Sequence, residues 1–103
     1  MSKPQSITED QLDLMHIIEN DSNASQRKIA QKTGLSIGKV NYCLKALIDI
    51  GFIKVENFSK STQKLNYAYI LTPKGIKEKA VITNKFIIQK KQEYDKLNSY
   101  IDK

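Results

Sequence analysis

The chain is poor in the residues that most often build reactive or cross-linked sites. Its 103 residues contain one cysteine, one histidine, four glycines and two prolines. Cys43 alone cannot close an internal disulfide, which fits a reducing cytoplasm. His16 and Cys43 leave no metal-ligand cluster and no nucleophile–base pair. With no glycine-rich phosphate loop either, an enzyme, a metal site and a cofactor are not expected. No apolar run approaches the roughly 20 residues that span a bilayer. The first ten residues, MSKPQSITED, have no apolar stretch to serve as a secretory signal. The expectation is a cytoplasmic chain without a membrane partner.

What is present is a patterned 40% of hydrophobic residues, enough for one modest core in a chain of this length. Seventeen Lys and Arg against eleven Asp and Glu give a formal charge of +6. The excess is uneven. Residues 1–35 carry four basic and five acidic side chains, residues 36–66 five and two, and residues 67–103 eight and four. A positive excess that begins at Ser36 points to an anionic partner for the middle and later chain.

Residues 1–7 read as a flexible tail. Thr8 is placed as an N-cap, with Gln11 at the capping-box position, before the stripe Leu14, Met15 and Ile18. His16 reads as an ordinary boundary residue of that helix. Asn20 to Asn23 end it. Ser25 caps a short second helix containing Ile29 and Ala30, and Gly34 suits the left-handed residue that follows a helix. Leu35 plugs the turn. Ser36 caps a third helix with Ile37, Val40, Leu44, Leu47 and Ile48 at helical spacing, closed by Gly51.

The period then changes. Phe52, Ile53, Val55 and Phe58 read as a strand, Ser59 to Asn66 as a polar connector, and Tyr67 to Thr72 as a second strand. The two make an antiparallel hairpin. Thr72 and Pro73 restart a helix as N-cap and first residue. Ile76, Ala80, Thr83, Ile87, Lys90, Tyr94, Leu97 and Ile101 then alternate spacings of four and three, a heptad seam with one polar interruption. No other long helix exists in the chain to receive that seam, so a second copy is its expected partner. Val81, Ile82, Phe86 and Ile88 add apolar surface to the first half of this helix. The fold class is mainly α with a small β-hairpin: a winged helix-turn-helix of order α-α-α-β-β-α over residues 8–72, followed by a dimerisation helix over 73–103.

On a helical wheel centred on Leu44, the core stripe of the third helix spans about 60° on either side. Gly38, Lys39, Tyr42 and Ala46 fall opposite, with Lys45 on one flank, Cys43 and Ser36 on the other, and Asn41 at the stripe's edge. A helix that follows a short turn after another helix can offer its N-terminal residues to the major groove of a duplex. Gly38 would let the backbone approach closely. Amides after Ser36 suit phosphate, and Lys39, Asn41, Tyr42 and Lys45 can reach base edges or phosphates. Tyr42 has an equal alternative, packed half-buried against the wing. Ser25, Gln26 and Arg27 are placed for contacts to the DNA backbone, and Lys60 and Lys64 at the hairpin tip make a basic wing.

The stretches "SQRKIAQKTGLSIGKVNYCLKALIDIGFIKVENF" and "KLNYAYILTPKGIKEKA" resemble the short MarR-type winged-helix regulators associated with bacterial exopolysaccharide gene clusters. The resemblance covers about residues 8–100. It implies a cytoplasmic, homodimeric DNA-binding transcription factor. The two recognition helices of such a dimer would meet a near-palindromic double-stranded DNA operator. The resemblance also implies that Ser36 to Lys45 contains the recognition surface and that Lys60 and Lys64 lie in the wing. Together with the helix and strand periods, the recognition helix is expected at about residues 36–50 and the wing at about 58–66. The chain lacks the extra helices that build the dimer domain and ligand cleft of full-length MarR proteins, so dimerisation is expected to rest on the C-terminal helix. Two other functions share this scaffold: a protein–protein interaction module, and a sensor holding an unknown effector at the dimer junction near Ile76 to Phe86.

Overall fold

The computed structural model describes residues 6–21, 23–58 and 66–101. Three helices, α1 (Glu9–Asn20), α2 (Gln26–Thr33) and α3 (Ile37–Asp49), precede the strands β1 (Ile53–Phe58) and β2 (Asn66–Leu71) and the helix α4 (Pro73–Ile101). The strands pair antiparallel, with Ile53 opposite Leu71 at the base and Phe58 opposite Asn66 toward the tip.

Short-range chemistry sets the helix starts. The Thr8 hydroxyl accepts from the Gln11 amide while the Gln11 side chain accepts from the Thr8 amide, closing a capping box. Ser25 and Ser36 accept from the Lys28 and Lys39 amides in the same way. Each such cap stabilises its helix by about 1 kcal/mol. α2 ends at Gly34, whose φ of +79° is the left-handed conformation that an L side chain resists.

The apolar periods converge on one core. Leu14, Met15 and Ile18 from α1, Ile29 from α2, and Val40, Cys43, Leu44 and Leu47 from α3 meet Phe52, Ile53 and Leu71 at the base of the hairpin. The expected stripe of α3 is corrected at its first member. Ile37 is 47% exposed, because it sits in the first turn, beyond the edge of the elements that cover Val40. Cys43, expected on a flank, takes the buried position instead. Burial pushes its thiol above the ordinary cysteine range, so it carries the chemistry of a small hydrophobe.

A compact junction joins α3, β1 and α4. The Phe52 amide donates to the Leu47 carbonyl, and the Phe52 carbonyl accepts from the Thr72 amide at 3.0 Å. The Thr72 hydroxyl donates to the Gly51 carbonyl at 2.6 Å and accepts from the Gly75 amide at 3.0 Å, so one side chain caps α4 and ties it to the end of α3. Lys74 reaches the Ile50 carbonyl at 3.3 Å, placing a cation at the negative end of α3. Farther along, Lys79 pairs with Glu19 and Lys90 with Glu9, so α1 lies antiparallel along α4 as far as Lys90.

Candidate nucleic-acid interface

α2 and α3 are joined by a turn of three residues, Gly34 to Ser36, and the turn is internally braced. The Thr33 hydroxyl donates to the Ile29 carbonyl and accepts from the Leu35 amide, while Leu35 packs partly against the core. This fixes the angle at which α3 leaves the turn. Its N-terminal half then projects from the body of the domain.

The outward surface of α3 carries Ser36, Gly38, Lys39, Asn41, Tyr42 and Lys45, all exposed. Tyr42 is 66% exposed, which rules out half-burial against the wing within this chain. The Lys39 amine lies 5.9 Å from the centroid of the Tyr42 ring, so the cation is held over the aromatic face. The nearest atom to a side chain added at Gly38 would be the Ser36 hydroxyl oxygen at 4.0 Å. The chain's own packing therefore does not require glycine there. Exposed Ile37 adds an apolar group beside Gly38, a contact that helical periodicity alone assigns to the core.

The electrostatics of this surface are one-sided. α2 contains no acidic residue, and the single acid of α3, Asp49, is its last residue. Ser25 and Arg27 are exposed at the start of α2. Lys28 pairs with Asp21 at 3.0 Å, and the hydrogen bond from Lys28 holds the Asp21 carboxyl below the usual carboxylate range. Arg27, Lys32, Lys39 and Lys45 take part in no ion pair among the described residues.

Gln26 behaves differently from its neighbours. Its amide nitrogen donates to the Tyr69 hydroxyl at 3.1 Å and to Asn41 Oδ1 at 3.3 Å. Nothing local in the sequence marks the strand residue Tyr69 as the partner of a residue 43 positions earlier. The expected wing lysines, Lys60 and Lys64, lie outside the described residues. On the hairpin that is described, Lys54 pairs with Glu56.

The seam of α4 splits into two parts. Thr83 is half-buried, whereas Ile76, Ala80, Ile87, Tyr94, Leu97 and Ile101 are exposed in the single chain. Exposure rises from 49% at Ile76 to 77% at Ile101. Lys90, the polar interruption, is engaged by Glu9, and that hydrogen bond raises the lysine's pKa. An open groove runs along the exposed side, lined by Glu19, Ile76, Ala80, Thr83 and Ile87. Among the described residues no three His, Cys, Asp or Glu side chains gather as metal ligands, and no helix is long and apolar enough to cross a membrane.

Residues 11–54 match the family described as winged helix-turn-helix DNA-binding. Solved structures extend the likeness through the hairpin and into α4. The fold is a winged helix. A MarR/EmrR family transcriptional regulator from Acinetobacter sp. ADP1 is 24% identical with a TM-score of 0.66, over 85% of this chain and 60% of its own. The Streptococcus mutans UA159 protein smu.1704 is 20% identical with a TM-score of 0.69, and the match covers 87% of both chains. The DNA complex of Staphylococcus aureus MepR is 23% identical with a TM-score of 0.63, over 91% of this chain and 76% of MepR. This winged helix thus spans about three-fifths of the Acinetobacter regulator's length. No curated protein matches the sequence.

Proposed function

We propose that the chain is a bacterial, cytoplasmic, MarR-type transcriptional regulator that binds double-stranded DNA sequence-specifically as a homodimer. The observation that carries this reading is the outward face of α3 from Ser36 to Lys45. It is exposed, free of acidic residues, and bears Lys39, Tyr42 and Lys45 beside a glycine that internal packing does not require. In the major groove, Lys39 and Asn41 are within the reach of base edges. Ile37 supplies the apolar contact that suits a thymine methyl group. Ser25, Arg27, Lys45 and the amides at the start of α3 supply phosphate contacts. The basic hairpin follows the adjacent groove through Lys60 and Lys64. The DNA complex among similar folds supports the same assignment.

The exposed seam of α4 supplies the dimer contact, with Ile76, Ala80, Ile87, Tyr94, Leu97 and Ile101 meeting a second copy. Two recognition helices then address half-sites about one helical turn, roughly 10 bp, apart on a near-palindromic operator. The quoted motifs favour the exopolysaccharide-associated branch of the family. A chain with Lys39 and Tyr42 both replaced by alanine tests the assigned face. It should keep its fold by circular dichroism and lose at least about tenfold in operator affinity, the equivalent of roughly 1.4 kcal/mol. Unchanged affinity and base preference would show that another surface binds DNA, or that the domain binds protein instead.

A further inference from the structure

Gln26 is the first residue of α2, where side chains ordinarily point outward toward a bound duplex or solvent. Here its amide is turned in, onto two elements at once. Tyr69 belongs to β2, and its ring packs partly against the core, so its hydroxyl is a fixed point. Asn41 belongs to the exposed face of α3. A single side chain therefore brackets the hairpin to the helix that carries the candidate reading surface.

We infer that Gln26 is a positioning residue: through Tyr69 it sets the wing against α3, and through Oδ1 it fixes the amide plane of Asn41. The inference rests on the DNA-binding reading above and revises the role of Gln26 from a backbone contact to a residue acting through two others. The terminal torsion of an asparagine is broad, so an exposed Asn amide has no intrinsic preference for which edge it shows. With Oδ1 turned to Gln26, the two Nδ2 donors are turned away from the bracket. They match acceptor edges in the major groove: guanine O6 and N7, adenine N7 or thymine O4. Base preference at the position facing Asn41 then depends on a glutamine that does not touch the base.

The test compares Gln26→Ala, Tyr69→Phe and the double variant on the duplex that the wild-type chain selects from a random pool. Tyr69→Phe keeps the ring and removes only the hydroxyl. Each single variant should bind about 3–10-fold more weakly, the range of one lost hydrogen bond. The double variant should fall within about twofold of Gln26→Ala, because both changes break one bracket. Repeated selection with either variant should broaden the preference at one position in each half-site while leaving the others intact. Wild-type affinity and preference in Tyr69→Phe, with loss of both in Gln26→Ala, would overturn the inference and make Gln26 a direct contact.

The bracket is also read without DNA. The side-chain amide protons of Gln26 in the free chain should shift in nuclear magnetic resonance spectra of Tyr69→Phe and Asn41→Ala, and no shift in either overturns it. If the wild-type chain selects no duplex, the DNA-binding reading fails and the positioning role with it. The amide shifts would then show that the bracket itself still stands.

Discussion

The carbonyl oxygen of Phe52 occupies the place where a side chain on Gly75 would begin. A Cβ built there would overlap that oxygen, with the Phe52 carbonyl carbon and Cα at 3.0 and 3.1 Å. The first turn of α4 thus lies directly on the backbone that links α3 to β1. Neither side can give way easily, because the Phe52 carbonyl is also the acceptor for the Thr72 amide. Gly75→Ala should therefore destabilise the fold on the order of 3 kcal/mol, as overpacking against backbone does. Chemical denaturation checks this, and an unchanged midpoint would mean that Gly75 does not lie against the Phe52 backbone.

Gly38 should behave in the opposite way. A methyl group there meets open space, and alanine is the better helix former by roughly 0.5–1 kcal/mol in a helix interior, less near an end. Gly38→Ala should leave stability unchanged or raise it slightly, while weakening DNA binding about tenfold if the helix backbone must approach a duplex closely. Denaturation and binding titrations on the same preparation separate the two effects. Parallel loss of both would show that the glycine serves the fold.

The contrast between these two glycines also shows what the sequence can disclose. The caps at Thr8, Ser25 and Ser36, the left-handed Gly34 and the change from helical to strand period at Gly51 are all local. Their partners lie within about four residues, so spacing alone reveals them. Val40, Leu44 and Leu47 were legible because three apolar residues on one helical face require a core. Ile37 shares that face and is nonetheless exposed, since periodicity gives an angle and not a depth. Cys43 shows the converse, a flank position buried by its neighbours. The bracket from Gln26 to Tyr69 and the overlap of Gly75 with Phe52 depend on how separate elements meet. No pattern within either segment encodes that meeting. Lys90 is intermediate: its break in the seam was visible, but its partner Glu9 was not.

Removal of everything after Lys85 should convert a dimer to a monomer, because it deletes Ile87, Tyr94, Leu97 and Ile101 together. The core cluster retains every member, so the shortened chain should still unfold cooperatively, though without the Lys90–Glu9 pair. Light scattering on both chains reads the mass directly. A shortened chain that remains a dimer would move the interface away from the C-terminal seam.

The most direct measurement is selection of bound duplexes from a random-sequence pool by the full chain, followed by titration of the enriched site across salt concentrations. Two inverted half-sites about 10 bp apart are predicted, with the logarithm of the affinity falling steeply and linearly with the logarithm of salt concentration as lysine–phosphate contacts release counterions. A pool that yields no enriched sequence, or binding indifferent to salt, would contradict the assignment of α3 as a DNA-reading helix.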